Sequence, residues 1–354
     1  MPLPPLTVSE LNLDWLNQIL LPVFKTRITD FSCENVGAGV GILSDVIRVH
    51  LQYEEKKQAP ASVIAKFSAS SPDARSIAND FNFYEAESLF YNKLSHQIPV
   101  SCPECYFNYF NPDQGMVILM SDVKGKGVDQ LVGCTLDQTR SALTAMAAYH
   151  AWGYNNVTQN FPWLRQTSNA KIYKSRRDTF SLLGPLITAN LTGKIPDWLE
   201  KIIPDLCDLT EKYTETFIKY PETLLHGDFR ADNLIFDGDT PAIIDWQITL
   251  RGNGAYDVAM FLSQSIDPEL RRRHFDELIR HYLETLQENG VKADEKDFMY
   301  LFRLAAASCL TNPLLIGGMI DENIPRTRQL AETLLSRACR TVEDLDCFEF
   351  FIAS

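Results

Sequence analysis

The sequence predicts an α+β chain of two lobes, a small sheet-rich N-terminal lobe over residues 1–120 and a larger, mainly helical C-terminal lobe over residues 121–354. Three observations predict it. Segments of strand character gather before residue 121, helical periodicity dominates after it, and 354 residues at 45% hydrophobic content suffice for two packed cores.

Taken in order, residues 8–24 open with Thr7 and Ser9 as capping candidates and set Leu11, Trp15, Ile19 and Leu20 at helical spacing. This is an amphipathic helix expected to lie on the first lobe. Residues 28–36, 46–52 and 62–67 read as three strands, and the turn between the first two carries Gly37, Gly39 and Gly41. Residues 77–94 read as one helix, with Phe81, Tyr84, Leu89, Tyr91 and Leu94 among charged residues. A strand pair follows, 105–111 and 116–120, around the turn Pro112-Asp113-Gln114-Gly115. Residues 136–152 form a long helix, and 170–220 hold helical segments interrupted at Gly184-Pro185, Pro196 and Pro204. Short strands are expected at 223–226, 234–236 and 242–244, and 256–351 reads almost wholly helical. A sheet-rich part joined to a helix-rich part near Ser121 suggests a cleft between lobes, the usual place for a ligand.

Composition excludes several classes. A formal net charge of −13 argues against nucleic acid as a partner, because phosphate backbones are held by clustered Lys and Arg. The first fifteen residues lack a basic region followed by an apolar core, so no signal peptide is expected. No apolar run approaches the roughly 18 residues that span a bilayer; the longest, 13–24, is broken by Asp14, Asn17, Gln18 and Pro22. Eight cysteines show only one close pair, Cys102-x-x-Cys105, with no second pair to complete a zinc site. Reduced thiols in a cytoplasmic protein are the expectation. Oligomeric state is not legible.

The chemistry concentrates in His226-Gly227-Asp228-Phe229-Arg230-Ala231-Asp232-Asn233, followed by Ala242-Ile243-Ile244-Asp245-Trp246. Phosphoryl transfer requires a hydroxyl held in line with the γ-phosphorus and metal ions held by oxygen ligands against the triphosphate charge. Asp228 can orient the hydroxyl or accept its proton. Asn233, five residues on, offers an amide oxygen to Mg²⁺, and Asp245 ends an apolar strand as the second metal ligand. The spacing H-x-D-x-x-x-x-N is the catalytic-loop pattern of kinases. Capped turns explain one such Asp–Asn pair equally well, but not three residues in the right order after a sheet-rich lobe.

The chain resembles the phosphotransferase superfamily of aminoglycoside phosphotransferases, choline kinase and ecdysteroid-kinase-like proteins. There the catalytic loop reads HGD and the metal aspartate lies in IDW or IDF, as in HGDFRADN and IIDW here. VGAGVGILSDVIRV, FYEAESLFYNKL, AAYHAWGY and GNGAYDVAMFLSQSIDPELRR are closest to the ecdysteroid-kinase-like branch and its bacterial relatives. The resemblance runs from about residue 30 to about 300. It implies a two-lobed protein-kinase-like fold, ATP and Mg²⁺ as cofactors, and a hydroxylated small molecule as substrate.

Nucleotide-binding candidates follow. Lys66 stands in Val63-Ile64-Ala65-Lys66-Phe67, the V-A-x-K pattern of a strand-borne ammonium that reaches the phosphates. Strand alternation turns Lys66 to the face opposite Ala65 and Phe67. Its carboxylate partner is Glu85 or Glu87, which two residues apart on a helix cannot share one face; the resemblance favours Glu87. Gly37, Gly39 and Gly41, with Ser44, can bring backbone N–H groups to the triphosphate, although a plain glycine hairpin has the same composition. Residues 116–122 are the expected inter-lobe hinge, with Met120 at the adenine; Ser121 stands where relatives often carry an acid.

Other features read as structural: His150 as a packed histidine, Asp257 as a hydrogen-bond partner of the catalytic-loop backbone, and Arg271, Arg272 and Arg273 as one solvated helix face. Three functions compete. A small-molecule kinase fits best. A protein Ser/Thr kinase needs an activation segment, and only twelve positions separate Asp245 from Asp257. A nucleotide-binding pseudokinase is disfavoured because Lys66, Asp228, Asn233 and Asp245 are all retained. The acceptor is not legible.

Overall fold

Alternation along three adjacent strands decides the layout of the N-terminal part. The computed structural model describes residues 3–36, 43–55, 58–167 and 170–351, arranged in two units. The first comprises Met1–Ile98, Cys102–Lys124 and Asp245–Gln247; the second comprises Pro99–Ser101, Gly125–Ile244 and Ile248–Ser354.

The first unit holds α1 (Leu13–Phe24), β1 (Ile28–Asn35), β2 (Ser44–Tyr53), β3 (Ser62–Ser68), α2 (Pro72–Asp80), α3 (Phe83–Lys93), β4 (Cys105–Asn111) and β5 (Gly115–Ser121). The strands form one antiparallel sheet in the order β1-β2-β3-β5-β4. Ile47, Val49 and Leu51 of β2, Val63, Ala65 and Phe67 of β3, and Val117 and Leu119 of β5 share one face and pack with Trp15, Leu16 and Leu20 of α1. Asn12 caps α1 by accepting from the Trp15 N–H at 2.9 Å, and Asn17 ties it to the sheet through both the N–H (2.8 Å) and C=O (2.9 Å) of Ile28. The opposite face carries residues 46, 48, 64, 66, 118 and 120, and α3 lies there. Ser88 of α3 donates to the Asn108 side chain at 2.9 Å, and Asn108 sits in register with Ile118.

Residues 77–94, one helix by periodicity, are two. The break is at Asn82, whose φ of 54° is left-handed, a conformation asparagine tolerates better than most residues. Phe81 and Phe83 stack across it with centroids 5.3 Å apart.

The second unit contains β6 (Lys126–Gly127), α4 (Leu136–Asn160), α5 (Ala170–Asn190), α6 (Asp197–Ile202), α7 (Leu206–Phe217), β7 (Thr223–Leu225), β8 (Leu234–Asp237), β9 (Thr240–Ile243) and β10 (Leu250–Gly252). It continues with α8 (Ala255–Gln264), α9 (Pro268–Glu288), α10 (Glu295–Ser308), α11 (Thr311–Gly318) and α12 (Pro325–Asp344). Two small sheets, β6-β8-β9 and β10-β7, carry the loops of interest. Thr135 and Gln138 form a capping box that starts α4.

Pro185 does not interrupt α5 as its sequence suggests. Leu183 and Ile187 of α5, with Leu191 just past its end, press so closely on Gly317 and Gly318 of α11 that a Cβ at Gly317 would lie 2.4 Å from Leu191 Cδ1. Tertiary packing of this kind outweighs the local cost of the proline. Arg271 also departs from expectation. It is buried and donates to Thr341 and Asp344 of α12, leaving only Arg272 and Arg273 on the exposed face. Contrary to the expectation that no run is long enough, one stretch among the described residues, Glu295–Gly318, is apolar and long enough to cross a membrane, and most of it is buried inside the protein as a core helix is.

Candidate active site

In the first unit, three charged side chains from distant parts of the chain meet. Lys66 of β3, 4% exposed, lies 2.8 Å from Glu87 Oε1 and 2.6 Å from Asp245 Oδ1. Of the two carboxylates that compete in the sequence, Glu87 faces the sheet and is buried, whereas Glu85 is exposed. Burial by itself depresses a lysine, but Asp245 and then Glu87 outweigh it and hold the Lys66 ammonium above its ordinary range. Burial pushes the Glu87 carboxyl up; Lys66 opposes that shift and the Asp245 charge adds to it. With Glu87 ionised, two carboxylates stand against one ammonium and leave an excess negative charge.

Asp245 takes up this position through its neighbour. Trp246 is fully buried and stacks on Phe90 of α3 at 4.3 Å and 8°, so the large ring anchors the segment on the helix that bears Glu87. Asp245 itself has φ 64°, a left-handed conformation that costs a non-glycine residue about 1 kcal/mol or more and tends to persist where function requires it. Ser44 opens β2, buried and in register with Ser68. Tyr84 donates to Leu43 O at 2.8 Å and accepts from Ala69 N–H at 2.9 Å, fixing the start of that strand. Gly37, Gly39 and Gly41 lie outside the described residues. Met120 is buried on β5, on the sheet face of Lys66. Ser121 accepts from Glu104 N–H at 2.9 Å, and the acid beside it, Asp122, is engaged by Arg48 (2.7 Å) and Ser62 (2.5 Å).

In the second unit, β7 leads into the catalytic-loop sequence. Asp257 of α8, fully buried, accepts from the N–H groups of His226 (2.7 Å) and Gly227 (3.0 Å), and from Tyr149 Oη at 2.7 Å. This is the backbone anchor expected from the sequence. Burial raises a carboxyl, yet the His150 hydrogen bond and the other donors around Asp257 overcome it and hold it below the usual carboxylate range. Gly227 has φ 81°, and a Cβ there would meet Ile248 O at 2.7 Å, so only glycine fits. His226 accepts the Asp228 N–H on Nδ1 (3.3 Å) and donates Nε2–H to Ile244 O (2.9 Å), which ties the loop to the residue before Asp245.

Asp228 and Asn233 come together. The Asn233 side chain donates Nδ2–H to Asp228 O at 2.8 Å, which fixes which end of the amide is donor and which is acceptor. Arg230 grips the Asp228 carboxylate with two bonds, Nε at 2.8 Å and Nη2 at 3.1 Å. Sequence reasoning gave Arg230 no role, although its position two residues after Asp228 was the available signal. The expected metal ligands, an amide oxygen and a carboxylate, suit a hard cation such as Mg²⁺. No group of three His, Cys, Asp or Glu side chains is placed to hold a metal among the described residues.

Residues 38–294 match the ecdysteroid kinase-like family. No curated protein matches the sequence. Among solved structures, choline kinase from Cryptosporidium parvum aligns with a TM-score of 0.56 at 12% identity, over 96% of this chain and 93% of that one. APH(2'')-IIa in its gentamicin complex aligns with a TM-score of 0.52 at 14% identity, over 93% of this chain and 96% of that one. These likenesses establish the two-lobed kinase-like fold.

Proposed function

The chain belongs to the ecdysteroid kinase-like family, and from that premise we propose that it is an ATP- and Mg²⁺-dependent phosphotransferase acting on a hydroxyl of a small molecule. The observation that carries the reading is the meeting of buried Lys66 and Glu87 with half-buried Asp245. A buried ion pair is weak evidence of stability, and a second carboxylate on the same ammonium makes the arrangement costlier still. Phosphoryl transfer supplies a reason for it: an ammonium fixed by a helix carboxylate, beside an aspartate that faces a metal.

In this reading Lys66 neutralises phosphate charge and Glu87 fixes where the ammonium sits. The backbone of Gly37, Gly39, Gly41 and Ser44 is assigned to the triphosphate, and Met120 to the adenine. Asn233 and Asp245 are the residues that would hold Mg²⁺, which when bound offsets the charge of the triphosphate. Asp228 orients the acceptor hydroxyl and receives its proton. The acceptor oxygen bonds to the γ-phosphorus, the bond from that phosphorus to the β–γ bridging oxygen breaks, and ADP leaves. The short span from Asp245 to Asp257 supports a small acceptor over a protein. All eight cysteines are free thiols, which supports a cytoplasmic location.

The test is Mg²⁺-dependent ATP turnover across a panel of hydroxylated small molecules, with Asp228→Ala as control. One compound that stimulates turnover in the wild type and not in the variant establishes the activity. Mg²⁺–ATP binding without turnover on any acceptor points to a pseudokinase, and absence of nucleotide binding refutes the reading.

A further inference from the structure

The first half of the HGDFRADN loop is tied down by Asp257, and its second half is held by something else. Ala231 N–H donates to Ser265 Oγ at 3.0 Å, and Asp232 N–H donates to Gln130 Oε1 at 3.3 Å. Gln130 in turn donates Nε2–H to Gln264 O at 2.8 Å, and Cys134 N–H donates to Ser265 O at 2.8 Å. Gln130, Gln264 and Ser265 are fully buried.

Beneath them lies Arg337 of α12, 7% exposed. Its Nη1 donates to Gln130 O (2.7 Å) and Gln264 O (3.0 Å), and its Nη2 to Leu131 O (2.9 Å) and Val132 O (3.1 Å). One guanidinium therefore clamps both segments that hold residues 231 and 232: the 130–132 turn and the end of α8. The backbone is pressed onto this point. Gly133 has φ 86°, and a Cβ there would lie 2.8 Å from Ser265 O and 3.3 Å from Arg337 Nη2.

A buried guanidinium whose hydrogen bonds all go to carbonyls is an expensive way to join a helix to a turn, because apolar side chains would do so without desolvating a charge. The planar fork has one property they lack: it fixes several carbonyls in a single rigid geometry. We infer that Arg337 is a positioning residue for Asn233, acting through Gln130, Ser265 and the backbone of residues 231–232. This rests on the kinase reading, and it places part of the control of the metal ligand beyond residue 294, where the family match ends.

The experiment uses Ser265→Ala, which leaves the guanidinium in place, and Arg337→Lys, which keeps the charge and removes the fork. Amide hydrogen exchange is followed in the protein free of nucleotide and metal, and Mg²⁺ is titrated into protein with ATP. In both variants, exchange in the peptide covering 228–236 should rise about tenfold, the effect of one lost hydrogen bond, with peptides covering 62–68 unchanged. Half-saturating Mg²⁺ should rise by a similar factor, and affinity for metal-free ATP should stay the same. Faster exchange spread evenly through the protein, or an unchanged Mg²⁺ requirement, would reduce Arg337 to a structural tie and overturn the inference. A wild type that binds no Mg²⁺–ATP would remove the kinase reading itself, and the inference with it.

Discussion

Arg230 holds both oxygens of Asp228, with Nε 2.8 Å from Oδ1 and Nη2 3.1 Å from Oδ2. Two parallel bonds from a planar donor fix the plane of a carboxylate, which a single contact does not. The residue assigned to meet the acceptor hydroxyl is therefore presented at a set angle. Arg230→Ala should lower kcat by about 10- to 100-fold, the cost of a reacting group displaced by an ångström or so, while the Kd for ATP stays near the wild-type value. Arg230→Lys should recover little, because an ammonium cannot form the fork. Steady-state kinetics with parallel ATP-binding calorimetry check it, and full activity in Arg230→Ala would show that Asp228 needs no such support.

The Lys66 cluster predicts unequal costs for its members. Removing Lys66 leaves Glu87 and Asp245 facing each other with no cation, and a buried charge stripped of its partner costs about 3–5 kcal/mol. Removing the Glu87 charge relieves the excess instead. Lys66→Ala should thus unfold at clearly lower urea concentration, and Glu87→Gln should match the wild type or exceed it. Nucleotide affinity should fall in both. Equal destabilisation by the two substitutions would contradict the charge count on which the functional reading rests.

These residues show what the sequence makes legible. The direction of Lys66 follows from period-two alternation, because Ala65 and Phe67 are taken by the core under α1. Its choice of Glu87 over Glu85 does not follow from the same reasoning. Both lie on α3, and only the rotation of that helix about its axis, set by Phe83, Phe90 and the stack on Trp246, decides which one faces the sheet. The order of Asp228, Asn233 and Asp245 is visible as a motif. The return of residues 245–247 to the first unit is not, since Trp246 finds its partner over 150 residues away in sequence. Local signals failed where long-range packing overrode them. Asn82 breaks a helical pattern without glycine or proline to announce it, and Pro185 passes through α5 because α11 supports that helix. Arg337 was beyond reach: one of four arginines on α12, it looks like solvated surface until the fold buries it.

The anchor beneath the catalytic loop gives stability a defined dependence on pH. His150 is fully buried, with Nε2 3.4 Å from Asp257 Oδ2 and Nδ1 2.8 Å from Tyr282 Oη, while Tyr149 and the His226 backbone also face Asp257. Burial lowers the His150 pKa, and Asp257, which favours the charged ring, does not reverse that. A histidine with a depressed folded pKa contributes stability in full above its unfolded value near 6.5, and loses it as the pH falls through that value, because the unfolded chain takes up the proton first. Asp257, also depressed, acts in the same direction from about pH 4 downward. The His150 contribution should therefore fall from pH 7 to pH 5 with a slope of up to about 1.4 kcal/mol per pH unit, the limit for one proton, while Glu87, whose carboxyl burial holds up, works in the opposite direction over the same range and is common to wild type and variant. His150→Gln keeps a polar side chain between the two partners without a titrating ring, so it should be less stable than the wild type at pH 7.5 and should lose less on acidification. Urea denaturation at pH 7.5, 6.5, 5.5 and 5.0 separates the two contributions. Parallel pH profiles for wild type and variant would mean that His150 takes up its proton as readily in the folded protein as in the unfolded chain or that another group controls this range, and either would remove it as the source of acid sensitivity.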